Sequence, residues 1–311
     1  RVVVTGLGVM SPLGESVNGF WESLIKGKSG IDKITLCDTD EFPSDIAGEV
    51  TGFDPTQYIN AKEAKRMARF SQMAVSAAAT AIEDSGLNMS EEDPWRLGVV
   101  IGNGNGGFPT TQDNAEILFN KGAMKMSPFF VPMILPNMAA ANISRVFALK
   151  GYTNTVITAC AAGNQAIGEA AEVIRRGASD VVVAGGCEAG ISRLGLGGLH
   201  VIKALSRHQG DPTKASRPFD VERDGFVPGE GAGILILENL DHAVNRGANI
   251  LAEIVGYGVS SDAFHPVQPD GKGEGASKAI GLALLDAQLK PYDIDYINAH
   301  GTSTPLNDIS E

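Results

Sequence analysis

The fold is decided by the stretch TVITACAAGNQ (Thr155–Gln165), in which an apolar strand leads directly into a cysteine and then into a helix of small residues. A cysteine that opens a helix has unpaired N–H groups and the positive end of the helix dipole close to its sulfur, and both stabilise a thiolate. The same N–H groups could hold an oxyanion. The sequence therefore predicts that Cys160 is a nucleophile.

The residues that follow predict a crossover unit of an α/β sheet. Gly177 is expected to end the helix, with Arg175 and Arg176 at its negative end, and the apolar run Asp180–Gly186 is expected to be a buried strand. Strand, helix and strand together make the connection typical of a parallel sheet. A cysteine is more often a small buried hydrophobic residue than a nucleophile, and it is the position of Cys160 between strand and helix that favours the second interpretation.

Composition excludes several classes of function. The chain has 311 residues, a net charge of −12 and 43% hydrophobic residues. An acidic chain is unsuited to general nucleic-acid binding, and no apolar run is long enough to cross a membrane. The three cysteines form no CxxC pair, and no cluster with metal-ligand spacing is present, so we expect neither a disulfide framework nor a metal site. This cysteine usage suits a reducing compartment.

Two glycine-rich turns are candidates for nucleotide binding. The first begins at Gly6, and the second, Gly102–Gly107, has the GxGxxG spacing of dinucleotide sites. A nucleotide loop should enter a helix whose N-terminus faces the phosphate, and the segment Phe108–Thr111 is not expected to start one. We interpret the second turn as a place of close backbone approach. An NAD(P)-dependent oxidoreductase is the remote alternative.

A repeated pattern predicts two related halves. The pattern GxGVxS occurs at Gly6–Ser11 and again at Gly256–Ser261, each time after a predicted strand. We therefore expect an N-terminal half at residues 1–247, which carries the nucleophile, and the start of a C-terminal half at residues 248–311. The second half is expected to be incomplete.

His300 is the most informative histidine. It follows the predicted strand Tyr296–Ala299 and precedes Gly301, at a strand end where α/β sheets bind ligands. His242 is expected to be solvated. The stretch Lys62–Arg69 is expected to lead into an amphipathic helix that runs to about Ser85, and its cations alone would indicate a solvated face. The proline-rich segment Ser127–Pro132 is expected to be a buried loop. In the loop Ser216–Gly233 we expect an ion-pair network formed by Arg217, Asp220, Arg223 and Asp224.

Four motifs together resemble one known family. They are TAC (Thr158–Cys160), ASRPFD (Ala215–Asp220), RDGFV (Arg223–Val227) and NAHGTSTP (Asn298–Pro305). The chain resembles the β-ketoacyl-acyl-carrier-protein synthases over essentially its whole length, and most closely their type II elongating form. The resemblance implies a thiolase-like fold, with two related α/β halves in a layered α/β/α/β/α arrangement.

The resemblance also implies an activity, which is the decarboxylative Claisen condensation of malonyl carrier protein with an acyl group held on Cys160. His300 would donate a hydrogen bond to the thioester oxygen. No cofactor is implied. The alternatives are a ketosynthase of a polyketide or specialised pathway, and a noncatalytic dimer partner.

Further site residues follow from the resemblance alone. Thr302 and Thr304 match pantetheine contacts, while Asn105 and Leu199 fall where acyl-pocket residues lie, although a polar residue at position 105 departs from the family. Glu311 matches an acidic position expected to pair with a lysine beyond the sequence, where a second histidine and a phenylalanine loop are also expected. The positions that would dock the acidic carrier protein are Lys62, Lys65, Arg66, Lys125 and Lys203.

The resemblance implies a homodimer as well. The composition suits the bacterial cytoplasm, with a plastid or mitochondrial matrix as the alternative.

Overall fold

A computed structural model describes residues 1–311 as an α/β protein. Its strands are β1 (Val2–Met10), β2 (Ile31–Lys33), β3 (Ile46–Gly48), β4 (Leu97–Gly102), β5 (Thr153–Val156), β6 (Val181–Glu188), β7 (Gly231–Asn239) and β8 (Ala252–Glu253). Its α-helices are α1 (Val17–Ile25), α2 (Ala61–Ala64), α3 (Arg69–Asp84), α4 (Phe108–Lys121), α5 (Phe130–Ile134), α6 (Met138–Val146), α7 (Ala162–Arg175), α8 (Arg193–Val201), α9 (Leu240–Asn245), α10 (Glu274–Ala287) and α11 (Pro305–Ser310).

Six strands form one mixed sheet in the order β5-β4-β6-β7-β1-β8. The pairs β5/β4 and β4/β6 are parallel, and the remaining pairs are antiparallel. The predicted strand, helix and strand are present as β5, α7 and β6, with β4 lying between the two strands. Strand β4 is buried along its whole length, as its apolar sequence requires when helices cover both faces of a sheet.

The sheet separates two apolar cores. On one face α3 and α6 contribute Phe70, Met73 and Ile143, and on the other face α7 contributes small residues such as Ala166 and Ala170. These small side chains let α7 approach the sheet closely. At its N-terminus the approach is so close that a Cβ added at Gly102 would overlap the backbone of Ala162. The start of α7 is thereby fixed against the end of β4.

The two GxGVxS motifs pack in the same way. A Cβ at Gly8 would overlap the carbonyl oxygen of Ala77 on α3, and a Cβ at Gly258 would overlap that of Ala279 on α10. Each motif therefore uses a glycine to bring an extended segment against a helix backbone, which is the duplication that the sequence pattern predicted.

Gly8→Ala is expected to destabilise the protein by about 3 kcal/mol, because the backbone oxygen of Ala77 cannot move aside without shifting α3. Urea unfolding followed by circular dichroism measures the change. Gly281→Ala is the matched control, since a Cβ there meets open space on α10, and it is expected to leave stability equal or slightly higher. Equal stability of the two variants would contradict the packing described here.

The helix predicted to run to about Ser85 is present as α3, and the cationic stretch that leads into it contains a separate short helix, α2. Helix α2 ends at Ala64 and α3 begins at Arg69. Between them Ala68 adopts an extended conformation, and the side-chain amide of Gln72 donates to the carbonyl oxygens of Ala64 and Met67. These bonds satisfy carbonyl groups that an unbroken helix would have used itself.

Two helices begin where the sequence predicted none. Helix α4 starts at Phe108 and carries Pro109 in its first turn, and α5 starts at Phe130 and includes Pro132. Proline is tolerated in the first turn of a helix because the N–H groups there have no helical partner.

The predicted strand Tyr296–Ala299 is also wrong. These residues belong to no strand, and their side chains are mostly exposed. A strand requires a neighbour that pairs with its N–H and C=O groups, and no other segment of the described chain runs alongside this one. In residues 248–311, β8 is the only strand.

The expectation that His242 is solvated is wrong. Its Nδ1 lies 2.7 Å from the carboxylate of Glu238, and its Nε2 lies 3.0 Å from that of Glu92. Glu238 is fully buried and also accepts hydrogen bonds from Thr5 and Arg246. Glu92 is 150 positions away in the sequence, so no local pattern could have indicated this cluster.

This cluster predicts a pH-dependent contribution to stability. Burial lowers the pKa of His242, but hydrogen bonds to Glu238 and Glu92 and their charges more than offset it, so the pKa is raised. Stabilisation by the protonated ring is complete below the ordinary histidine pKa and is lost as pH rises through the raised value. The free energy of unfolding lost in His242→Gln should therefore be larger at acidic than at alkaline pH in urea titrations. A pH-independent difference would contradict this.

No helix combines the length and the apolar character needed to cross a lipid bilayer.

Candidate active site

Cys160 lies where the sheet meets α7. Strand β5 ends at Val156, Ala159–Ala161 form a 3₁₀ turn, and α7 begins at Ala162. Cys160 therefore stands in the turn that leads into the helix, and not in the helix itself as predicted. The preceding residue, Ala159, has a φ of 50°, a conformation that is rare for residues with a side chain. The thiol of Cys160 is exposed and forms no disulfide.

The imidazole of His300 faces this thiol. A hydrogen bond to His300 is the largest cause of a lowered pKa for Cys160; burial opposes the shift, and the charge of His300 adds to it. The same hydrogen bond and the charge of the sulfur raise the pKa of His300. Each group therefore favours the charged form of the other. The sequence predicted both residues, and the structure brings them together.

Glu311 holds the backbone of the histidine loop. Its carboxylate accepts hydrogen bonds from the N–H groups of His300, at 2.6 Å, and Gly301, at 2.8 Å, and from the side chain of Asn307, at 3.0 Å. The lysine partner that the resemblance implies for Glu311 stays a prediction. Within the described residues its contacts are with the loop that carries His300 and with α11.

A second set of contacts also holds the loop that carries His300. These contacts differ from the ion-pair network that the sequence predicted for Arg217, Asp220, Arg223 and Asp224. Arg223 pairs at 3.2 Å with Asp308, and Asp224 accepts from Ser206 and Arg207. These four residues form no salt bridge with one another. Ser303 is fully buried. Its carbonyl oxygen accepts a hydrogen bond from the N–H of Gly225, and its hydroxyl accepts one from the N–H of Arg217. The ASRPFD and RDGFV motifs thus anchor the histidine loop.

A cavity of about 670 Å³ opens beside Cys160. Asn105 and Leu199, the two predicted acyl-pocket residues, both line it. Much of the remaining wall is apolar and includes Phe108, Ile191, Leu196 and Phe226. The cavity is thus suited to an apolar chain attached to the sulfur. His300 does not line this cavity and lies outside it, next to Cys160.

The glycine-rich turn at Gly102–Gly107 also lines this cavity. The N–H groups of Gly104 and Asn105 donate to the carboxylate of Glu188, and that of Gly106 donates to Asn103. Although α4 follows this turn, the N–H groups that a phosphate would need already have a partner, which argues against a dinucleotide site.

The remaining predicted residues lie at the surface around the site. The hydroxyls of Thr302 and Thr304 are 2.9 Å apart, next to His300, and neither residue lines the cavity. Arg66 pairs with Glu63 at 3.6 Å and stacks on the ring of Phe129 at 4.7 Å. Of the predicted docking residues, Lys62, Lys65, Lys125 and Lys203 are exposed and form no ion pair. No three His, Cys, Asp or Glu side chains are grouped as a metal site would require.

Sequence reasoning missed three residues that shape this site: Glu188, Ser303 and Asp308. Each makes a contact with a segment more than 80 positions away. Ser303 and Asp308 could have been suspected because they follow His300 within eight positions, Ser303 in its loop and Asp308 in α11, whereas Glu188 looked like the end of an ordinary buried strand.

Comparison with known proteins gives a consistent result. Residues 1–243 match the N-terminal domain of the β-ketoacyl synthases, and residues 251–311 match their C-terminal domain. The 3-oxoacyl-[acyl-carrier-protein] synthase 2 of Staphylococcus aureus (strain COL) is 47% identical over 311 residues, which are 100% of this chain and 75% of that protein. The protein of the same name from Synechocystis is also 47% identical, with the same coverage.

Solved structures agree with the sequence relatives. The ishigamide ketosynthase/chain length factor has a TM-score of 0.93 at 37% identity, and covers 100% of this chain and 75% of its own. A type II PKS acyl-carrier protein in complex with its ketosynthase bound to the hexaketide has a TM-score of 0.87 at 34% identity, with the same coverage. With family matches across both halves and a cysteine that lies beside a histidine, the chain belongs to the β-ketoacyl synthase family of acyltransferases.

Proposed function

We propose that this protein is a 3-oxoacyl-acyl-carrier-protein synthase that elongates fatty acids by decarboxylative condensation. The observation that carries the proposal is the position of Cys160 beside His300 in the wall of a largely apolar cavity, where each of the two groups favours the charged form of the other. This is the arrangement that transfer of an acyl chain to sulfur requires.

In the first step the Cys160 thiolate attacks the carbonyl carbon of an acyl carrier-protein thioester. The acyl group moves to the sulfur, and the carrier-protein sulfur leaves as a thiol after taking a proton from His300. In the second step malonyl carrier protein loses carbon dioxide, and its thioester oxygen gains enolate charge, to which His300 donates a hydrogen bond. The carbanion then attacks the acyl carbonyl, a carbon–carbon bond forms, and the Cys160 thiolate is released.

The carrier protein is proposed to bind at the exposed cations. Lys62, Lys65, Lys125 and Lys203 have no acidic partner within the chain, so their charge is available to an acidic protein. Arg66 completes this group of docking residues. Thr302 and Thr304, next to His300, are proposed to hydrogen bond the pantetheine arm.

Lys65→Glu is expected to raise the KM for acyl carrier protein about tenfold while leaving kcat nearly unchanged, because it reverses a charge that guides docking. Steady-state kinetics at two salt concentrations measure the effect, which should shrink at high salt. Lys272→Glu is the control, since its side chain is 79% exposed and lies in the loop before α10. Equal changes in the two variants would contradict the proposed docking surface.

Further parts of the proposal concern organisation. We propose a division into halves at residues 1–247 and 248–311, which is supported by the family matches to residues 1–243 and 251–311. A homodimer is proposed from the family resemblance, and a cytoplasmic location from the acidic, cysteine-poor composition.

The test of this function is to incubate the protein with acyl-loaded and malonyl-loaded carrier protein and to analyse the products by mass spectrometry. The proposal predicts release of carbon dioxide and a 3-oxoacyl thioester extended by one acetyl unit. Acylation of Cys160 without any extended product would contradict it.

A ketosynthase of a polyketide pathway is the second candidate. It is favoured by the polar Asn105 in the wall of the cavity and by the structural similarity to a type II PKS ketosynthase. Profiling the accepted acyl groups separates the two candidates, because exclusive use of poly-oxo chains would favour the second.

A further inference from the structure

Glu188 joins two strand ends at the base of the acyl cavity. Strands β4 and β6 are parallel neighbours, with Gly102 opposite Gly186. The chain leaves β4 into the glycine-rich turn, while β6 continues to Glu188, its last residue. The side chain of Glu188 therefore lies against the Gly102–Gly107 turn.

Both oxygens of the Glu188 carboxylate accept hydrogen bonds. One oxygen accepts from the N–H groups of Gly104 and Asn105, each at 3.1 Å. The other accepts from Ala189 at 3.2 Å and lies 3.5 Å from the side-chain amide of Asn103. No cation pairs with this carboxylate, so backbone amides provide most of its stabilisation.

Asn103 completes the restraint. Only 1% of this residue is exposed; its amide donates to the carbonyl of Cys187 at 2.7 Å, and its side-chain oxygen accepts from Gly106 at 2.7 Å. The N–H groups of Gly104 and Asn105 therefore donate to the side chain of Glu188, and that of Gly106 donates to the side chain of Asn103. A turn rich in glycine would otherwise have wide conformational freedom.

The restrained turn is a wall of the cavity that holds the acyl chain. Gly104 and Asn105 line that cavity together with Cys160 and Glu188 itself. The side-chain nitrogen of Asn105 lies close to Gly190 on the adjoining part of the wall, where an added Cβ would come within 3.4 Å of it. A small movement of the turn would therefore change the space available beside the nucleophile.

We propose that Glu188 is a positioning residue that fixes the Gly102–Gly107 turn as a wall of the acyl cavity and thereby sets the length of chain that Cys160 accepts. This inference rests on the proposed acyl transfer to Cys160. The raised pKa of Glu188, caused by burial and opposed by its N–H donors, is consistent with a group held for structural reasons.

The test is Glu188→Gln, in which one acceptor oxygen becomes an NH₂ group, so that the side chain can no longer accept both from the turn and from Ala189 and Asn103. Acylation of Cys160 is measured by mass spectrometry with carrier proteins loaded with acetyl, octanoyl and dodecanoyl groups. We expect the ratio of kcat/KM for dodecanoyl to that for acetyl to change by about tenfold. Amide hydrogen exchange in the turn should also become faster. Glu274→Gln, which removes an exposed carboxylate on α10, should change neither.

Glu188→Asp provides a second test that does not depend on the folding of the first variant. Aspartate keeps the charge but is too short to reach the turn, so it should alter the ratio and the hydrogen exchange as glutamine does. If either folded variant acylates Cys160 with an unchanged ratio, the positioning role is wrong while the proposed function stands. Failure of the unchanged protein to acylate Cys160 at all would instead overturn the proposed function.

Discussion

Cys160→Ala is expected to lower acyl transfer and condensation by about 10⁴-fold or more, because no other group in the cavity can carry the acyl chain. The cavity contains one other cysteine, Cys187, which is buried and whose pKa burial raises strongly. A thiol in that state is a poor nucleophile. Mass spectrometry of the protein after incubation with acyl carrier protein measures the covalent intermediate directly.

The substitution should leave the fold unchanged, because the side chain of Cys160 is exposed and a methyl group fits its place. Cys37→Ala is the control: Cys37 is half-buried in a loop beside Asp38 and Glu49, and its pKa is raised, first by burial and then by these carboxylates. This variant should retain full activity. Acylation that persisted in Cys160→Ala would place the nucleophile elsewhere.

His300→Ala is expected to reduce condensation by at least about a hundredfold, since it removes both the partner of the thiolate and the donor to the enolate oxygen. The two steps should respond differently. Acylation should fall and be partly rescued at higher pH, where the thiol ionises without help, whereas decarboxylation of the malonyl group should not be rescued. Single-turnover measurements with each substrate separate the two steps.

His208→Ala is the control for this variant, because His208 lies in a loop outside the cavity and outside the His300 loop. Normal condensation in His300→Ala at neutral pH would contradict the proposed role of the imidazole.

The sequence predicted the sheet and its nucleophile because both are encoded locally. An apolar run followed by a small-residue helix indicates a strand packed against α7, and Gly177, with a φ of 73°, ends that helix as expected. The glycines of the two GxGVxS motifs were recognisable for the same reason: close approach of backbones leaves only one residue type possible.

The sequence could not predict how the site is held together. Glu188, Glu92 and Asp308 are single acidic residues whose partners are contributed by distant segments, so nothing near them in the sequence distinguishes them from solvated carboxylates. The predicted ion-pair network failed for the same reason, because Arg223 binds Asp308 and not its neighbours. Resemblance to a family identified His300, but only the fold shows which contacts orient its loop.

The local sequence pattern also predicted a strand that the structure does not contain. The apolar segment Tyr296–Ala299 has the composition of a strand, yet strand formation depends on a neighbour that the pattern does not contain. In the opposite direction, prolines at positions 109 and 132 suggested loops, although both occupy the early helical positions that tolerate them.

The central claim is that His300 stabilises the Cys160 thiolate, and the pH dependence of Cys160 alkylation by iodoacetamide tests it most directly, with Cys160→Ala as the blank. The account predicts that the unchanged protein reacts at a pH well below that at which ordinary thiols ionise, and that His300→Ala shifts this reactivity to higher pH. Identical alkylation profiles for the two proteins would contradict it.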